Sequence, residues 1–370
     1  MIGFKIKQII KMIFQNGILP ICYWFHSRGK INEKLVVFAD AHHDSIPYSM
    51  EDIYEQVKKL DVQIVVCCTN YKTNSALYIF RSMIRFMRIY GKAKYVFICD
   101  NYLPVASCNK RKETEVIQLW HAGGVLKKFA YDTERDIPKY YKGHVYKNYT
   151  LVTVSAECCR EVYISAMRTP PENVKATGLS RTDRYFRDDY IRQCKEEFYE
   201  AYPEAMGKKI ILWAPTFRGN AANPQMVGLE DMQSLQQELG EDWYVLIKVH
   251  PHIDNIEKLS NCEIQTERLL PVIDVLISDY SSVIYDYILL DKPLVLYVPD
   301  LQYYVDNRQL YIDFDEMPGM IVKEYSELAK NVTVEYSNYN KEKMKIFREN
   351  YMQACDGHAT ERILKTIGLM

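Results

Sequence analysis

The chain has 370 residues, of which 48% are hydrophobic and 26% charged, and its formal net charge is -1. That length and apolar content predict two compact domains with buried cores, while the neutral balance excludes a global field that draws nucleic acid, so attraction to phosphate must come from local basic clusters. The ten cysteines include the adjacent pairs Cys67-Cys68 and Cys158-Cys159 but no C-x-x-C, which excludes a zinc knuckle and a redox pair and reads as reduced, cytosolic thiols.

Residues 1–30 are expected to form a membrane-associating segment. On a helical wheel Ile2, Ile6, Ile9, Ile10, Ile13 and Phe14 fall on one side, and Lys5, Lys7, Gln8, Lys11 and Gln15 on the other. Such a basic amphipathic helix suits the headgroup layer of an anionic membrane, and the run from Ile18 to Phe25 adds interfacial aromatics. The same pattern also suits a helix packed on the protein's own core. A second stretch, 77–90, carries Arg81, Arg85 and Arg88 in one stripe, readable either as membrane contact or as the solvated edge of a half-buried helix. No apolar run reaches the roughly 18 residues of a membrane span, and no cleavage site follows an apolar core, so neither a spanning helix nor secretion is expected.

Short β-rich runs then alternate with helical patterns: 35–39, 63–67, 95–99, 116–119, 151–154 and 174–176, followed by 210–213, 244–249, 275–278 and 294–297. Strands with so little polar alternation are buried on both faces, which predicts two parallel sheets with covering helices, an α/β chain. The charge-rich helical stretch 184–209 marks the junction, giving an amino-terminal Rossmann-like domain at 31–188 and a carboxyl-terminal one at 189–370. Neither G-x-G-x-x-G nor G-x-x-x-x-G-K-[ST] occurs, so NAD chemistry and P-loop hydrolysis lose their usual support. Ligands of open α/β sheets bind beyond the carboxyl ends of strands, and the chemistry-bearing residues follow those ends.

In chain order, His42-His43-Asp44 lacks the further ligands of a metal site. His121 follows a strand and precedes Ala122, Gly123 and Gly124, where glycine permits close backbone approach, and then Lys127 and Lys128. Arg181 follows the 174–176 strand, where it is either a phosphate fork or a surface arginine. Pro215 and Thr216 follow one strand of the second half, and Lys248 and His250 end another. Ser281 and Ser282 open a helix after the 275–278 strand. Free N–H groups and two hydroxyls there suit a pyrophosphate, although a serine at that position also serves as a simple cap. Asp286 lies one turn further on. Asp313-Phe314-Asp315 is a D-x-D away from any strand end, and no hydrolytic triad is legible.

Taken in order, QLWHAGG with LKKF, TGLSRTD, ILWAPTFRG, LIKVHP, LISDYSSVIYDYILLDKPLVLYVPDLQYY and DGHATER resemble the CDP-glycerol glycerophosphotransferase family, the teichoic acid primases and polymerases, including CDP-ribitol ribitolphosphotransferases. The resemblance runs from about Gln118 to Arg362 and is weak in the amino-terminal third. It implies a GT-B architecture, two Rossmann-like domains facing across a cleft, with the CDP-polyol donor held mainly by the second. It carries catalytic roles onto His121 and His250 and donor-binding roles onto Ala122, Gly123, Gly124, Arg181, Pro215, Thr216, Lys248, Ser281, Ser282 and Asp286. It implies no metal and no cofactor, and an undecaprenyl-linked polymer as acceptor at the cytoplasmic face of the membrane, where the protein would be peripheral. Trp120-His121-Ala122-Gly123-Gly124 departs from the W-H-G-T-P of glycerophosphotransferases toward the ribitol-type W-H-A-x-G, and Gly178-Leu179-Ser180-Arg181 departs from G-x-P-R, which leaves glycerol and ribitol both open. The expected reaction is attack of an acceptor hydroxyl on the β-phosphorus with CMP leaving. His121 would act as base while His250, Lys248, Arg181 and the serine pair neutralise phosphate. A nucleotide-sugar GT-B transferase and a non-catalytic membrane scaffold are the competing expectations.

Overall fold

Runs rich in valine, isoleucine, leucine and phenylalanine form the strands of two separate parallel sheets in the structure, a computed structural model describing residues 2–134, 136, 137, 139, 141–216, 218–220, 223–249 and 260–370. The first sheet contains β1 (Asn32–Asp40), β2 (Gln63–Cys68), β3 (Ala93–Ile98), β4 (Glu115–Gln118), β5 (Leu151–Thr153) and β6 (Val174–Lys175), in the order β2-β1-β3-β4-β5-β6. The second half holds β7 (Lys209–Trp213), β8 (Arg218–Asn220), β9 (Asn223–Gln225), β10 (Trp243–Ile247), β11 (Val275–Ser278), β12 (Leu294–Tyr297) and β13 (Met320–Val322). Its sheet runs β10-β7-β11-β12-β13, and β8 and β9 pair as a separate antiparallel hairpin. Both sheets are parallel throughout.

Contacts divide the chain into two units: Met1–His121, Phe129–Asp183 and Ala354–Met370 form unit 1, and Ala122–Lys128 and Arg184–Gln353 form unit 2. In unit 1, Val36, Phe38, Phe97, Ile117 and Leu151 of the sheet pack with Met50, Ile53 and Val57 of the helix Tyr48–Val57 and with Ile363 and Leu364 of the helix Ala359–Thr366. Phe38 and Phe97 stack at 4.9 Å. Each such fully buried side chain stabilises the fold by about 1.5–3 kcal/mol before entropy is counted. In unit 2, Ile211, Trp213, Val245, Val275, Ile277 and Val295 pack with Met232, Leu235, Leu328 and Val332.

The sequence expectation put all of 189–370 in one domain, whereas the closing segment packs in unit 1. Asp183 causes this: its two carboxylate oxygens accept from the N–H groups of Ala359 (2.9 Å) and Thr360 (2.8 Å), capping the closing helix from 176 and 177 residues away. Arg362 donates to Thr177 O (3.0 Å) and grips Asp356 with both terminal nitrogens. Gly178, at φ +80°, leaves space for the closing strand of chain, since a Cβ there would meet Ala354 O at 2.1 Å. These contacts give DGHATER and TGLSRTD a shared structural purpose.

The amino-terminal helix Ile2–Ile13 passes through a π-helical turn, Phe14–Ile18, into the helix Leu19–His26. Ile6, Ile9, Ile10, Ile13, Ile18, Ile21, Trp24 and Phe25 are exposed by 38–59%. The opposite side faces the protein. Gln15 is buried, its amide donating to His144 O (3.4 Å) and its oxygen accepting from the Tyr141 hydroxyl. Lys11 lies 5.5 Å from the Tyr141 ring centroid, and burial pulls its ammonium pKa down although the charge of Asp100 opposes this. Lysine on the lipid side, as the wheel suggested, is therefore not what Lys11 does. In the helix Ala76–Tyr90, Met83, Phe86, Met87 and Tyr90 are buried, Arg81, Arg85 and Arg88 are exposed, and Leu77 and Tyr78 are exposed too. Among the described residues no helix is long and apolar enough to cross a membrane.

Candidate active site

In unit 1 the strand order reverses between β1 and β3, the kind of seam at which open α/β sheets bind ligands. Asp40 ends β1, and its Oδ2 accepts from the N–H groups of His42 (2.7 Å) and His43 (2.8 Å) and pairs with His43 Nδ1 (2.9 Å). Burial pushes the Asp40 carboxyl up, but these hydrogen bonds outweigh it and the net direction is down. Asp100 follows β3. Its Oδ2 lies 3.5 Å from His121 Nδ1 and 3.4 Å from His42 Nε2. His121 Nδ1 is also 3.3 Å from Cys99 O. Both neighbours of Nδ1 are acceptors, so in the singly protonated ring the proton sits on Nδ1 and the lone pair on Nε2.

One further contact holds the His121 ring. Trp120 has φ +57°, a left-handed conformation that costs a non-glycine residue about 1–3 kcal/mol. Its ring lies against that of His121, 4.4 Å between centroids. The Trp120 N–H donates to Gln118 Oε1 (2.9 Å), and the Gln118 amide donates to Asp100 O (3.0 Å), which ties the strained turn to the carboxylate loop.

The residues after His121 are organised differently. Ala122–Lys128 pack within unit 2, with Tyr311 N donating to Leu126 O (2.9 Å) and Lys128 N to Gln309 O (3.1 Å). Gly124 has φ +56°, and a Cβ on it would sit 2.0 Å from Tyr285 Cε1; one on Gly123 would sit 3.0 Å from Tyr285 Cβ. The close backbone approach read from the Gly-Gly pair is thus an approach to the Tyr285 ring.

Unit 2 has its own seam between β7 and β11. Pro215 and Thr216 follow β7, and the loop after β11 supplies Asp279, whose Oδ1 accepts from Thr216 N (2.8 Å) and Tyr280 N (2.6 Å). Arg218 joins the two: Nη1 donates to Asp279 Oδ2 (2.9 Å) and Thr216 O (2.6 Å), while Nε and Nη2 fork onto Asp300 (2.6 and 2.9 Å). Its guanidinium carbon lies 4.9 Å from the Tyr280 and Tyr304 rings. Burial works against this charge, yet the hydrogen bonds of Asp300 and the charge of Asp279 raise its pKa above the ordinary value.

Ser282 stands at the N-cap of the next helix with no side-chain capping bond, and Ser281 Oγ accepts from Val283 N at 3.4 Å. The helix is short, Val283–Tyr287 followed by a 3-10 turn, Ile288–Leu290. Its dipole is correspondingly small, which leaves the hydroxyls and loop N–H groups as the anion donors. The Thr216 hydroxyl is buried without a hydrogen-bond partner among the described residues. Asp286 is buried. Lys248 donates to Cys262 O (2.8 Å), and burial lowers its pKa. Arg181 is buried in unit 1, in the 3-10 segment Ser180–Phe186, so it is not a surface arginine. His250 lies outside the described residues.

Among the described residues, no three His, Cys, Asp or Glu side chains converge as a metal site. Asp313 accepts from Asp315 N (3.1 Å), capping a short turn. Sequence reasoning passed over Asp40, Asp100, Gln118 and Asp300. Asp40 and Asp100 directly follow two of the expected strands, so the strand-end rule contained the signal.

A family model for CDP-glycerol:poly(glycerophosphate) glycerophosphotransferase matches residues 21–369. The chain belongs to this family. Among its relatives, the teichoic acid poly(ribitol-phosphate) polymerase of Bacillus spizizenii is 32% identical over 357 residues, 91% of this chain but 56% of that protein, so the chain spans little more than half of that relative. The teichoic acid ribitol-phosphate primase of the same organism is 30% identical, with 89% of each chain covered. A variant of the wall teichoic acid polymerase TagF superposes with a TM-score of 0.78 at 22% identity, covering 99% of this chain and 96% of that one. That likeness carries the fold: α/β with two Rossmann-like domains, the GT-B type.

Proposed function

We propose that the protein transfers a polyol phosphate from a CDP-polyol to a hydroxyl of a lipid-linked teichoic acid or related wall polymer. The acceptor oxygen bonds to the β-phosphorus, the bond from that phosphorus to the bridging oxygen breaks, and CMP leaves with the bridging oxygen. The acceptor proton goes to His121 Nε2. The observation that carries this reading is the His121 geometry in a chain of this family: Nδ1 faces two acceptors, and Nε2 is left as the base. Arg181, Lys248, His250, Ser281, Ser282 and the Thr216 hydroxyl hold and neutralise the donor phosphates, with Ala122, Gly123, Gly124, Pro215 and Asp286 shaping the donor site. No cofactor or metal enters the scheme. The Trp120-His121-Ala122-Gly123-Gly124 loop and the ribitol-phosphate relatives favour ribitol as the donor polyol.

The protein works as a peripheral protein at the cytoplasmic face of the membrane. The exposed isoleucines of the first helix, with Trp24, Phe25, Leu77 and Tyr78, support this reading. Incubating the protein with CDP-glycerol or CDP-ribitol and an undecaprenyl-linked acceptor, then measuring CMP and product length, tests donor and processivity together. Turnover of nucleotide sugars alone would refute it.

A further inference from the structure

Two imidazoles meet one carboxylate oxygen at the seam of unit 1, and the proton transfer proposed above uses only one of them. His42 Nε2 and His121 Nδ1 lie 3.4 and 3.5 Å from the same atom, Asp100 Oδ2. Neither distance reaches the roughly 2.7–2.9 Å of a fully formed charged N–H···O bond, so the oxygen is shared. The sharing is built into the backbone. Asp40 fixes the loop that carries His42 through the N–H groups of residues 42 and 43, and Asn101 N donates to Asp100 Oδ1 at 2.6 Å, which leaves Oδ2 to the rings.

We propose that Asp100 is the positioning residue of His121 and that His42 competes with His121 for its charge. The inference rests on His121 being the base. The Asp100 carboxylate holds the Nδ1–H of His121, the acceptor proton arrives at Nε2, and the imidazolium later releases it to solvent. A protonated His42 withdraws part of that carboxylate's charge and makes His121 a weaker base. Among the described residues, the other groups that act on Asp100 are the Lys11 ammonium, the Tyr146 and Tyr149 phenols and the Cys99 thiol. Burial raises the pKa of the phenols and the thiol, so they remain neutral across the working range. Beyond Asp40 lies the His43 imidazole, already paired with that carboxylate.

The test uses the full chain with 15N-labelled histidine and the variants Asp100→Asn and His42→Gln, with His121→Ala to assign the resonance. Asp100→Asn is expected to move the His121 titration midpoint to lower pH and to mix its tautomers. It should lower kcat roughly 10²-fold while the KM for CDP-polyol changes less than about twofold. His42→Gln should move the midpoint, and the acid limb of kcat with it, to higher pH. An unchanged midpoint in Asp100→Asn, or shifts of the same sign in both variants, overturns the proposal. If Asp100→Asn fails to fold, as judged by its melting curve, the sign of the His42→Gln shift at its exposed position decides alone. The titration needs no substrate, so a wild-type protein that turns over no CDP-polyol would sink the proposed function and still leave the shared carboxylate tested.

Discussion

The two seams have the same topology and opposite chemistry. At the seam of unit 1 the charged groups are half open to solvent: the side chains of His42, Asp100 and His121 are 59%, 31% and 49% exposed. Imidazoles in such a setting exchange protons readily. At the seam of unit 2, Arg218 is 8% exposed and locked between Asp279 and Asp300, a charge that never titrates and fixes the loops carrying Thr216 and the serines. One seam leaves its titratable side chains half open to solvent, and the other encloses its charge in a fixed frame.

The largest expected effect breaks the frame. Arg218→Met leaves the buried Asp279 and the partly exposed Asp300 without their guanidinium partner and should cost about 3–5 kcal/mol of stability, read by denaturant unfolding; a loss below about 1 kcal/mol would show that unit 2 is not held by this cluster. Next comes the proton-handling seam. His121→Ala should lower turnover by roughly 10²–10⁴-fold while calorimetry finds CDP-polyol binding nearly unchanged, and normal turnover would remove the base from the scheme.

A third prediction sharpens the contrast by isolating a pH effect that belongs to unit 2 away from its seam. Glu335, 4% exposed in the helix Leu328–Asn338, has its carboxyl pushed up to about 7 by burial, against the charge of Lys343. The folded state keeps this proton to a higher pH than the unfolded chain does. Its contribution to stability is therefore full below the ordinary carboxylate range and lost as pH rises through about 7. Glu335→Gln should match the wild type near pH 4 and exceed it by up to roughly 3 kcal/mol at pH 8, measured as melting temperature against pH. The smallest effect is expected at Ser282, whose hydroxyl makes no capping bond. Ser282→Ala should weaken CDP-polyol binding about tenfold, the value of one hydrogen bond to a charged group, without changing stability.

What the sequence made legible was whatever a continuous apolar run or a strand end announces. The runs at 35–39, 63–67, 275–278 and 294–297 are strands because nearly every residue in them is aliphatic, aromatic or cysteine, and His121 and Ser281 follow directly from such ends. β13 escaped notice because three residues, Met320–Val322, offer too short a pattern, and β8 and β9 because Gly219, Asn220, Asn223 and Pro224 argue against strands. Long-range partners were the larger gap. Nothing near Gly124 points to Tyr285, and nothing near Asp183 points to Ala359, since each pairing depends on tertiary geometry rather than on local period. The wheel located the apolar face of the first helix but could not say that Gln15 and Lys11 would be drawn inward by Tyr141 and His144.

The Asp183 cap on the closing helix has a consequence for synthesis. Ile363 and Leu364 belong to the core of unit 1, yet the ribosome makes them after the whole of unit 2. The first-made sheet therefore waits, with part of its apolar face uncovered, until residues 359–366 have been made. Unit 2, complete at Gln353, can close its own core before the older half of the chain receives its cover.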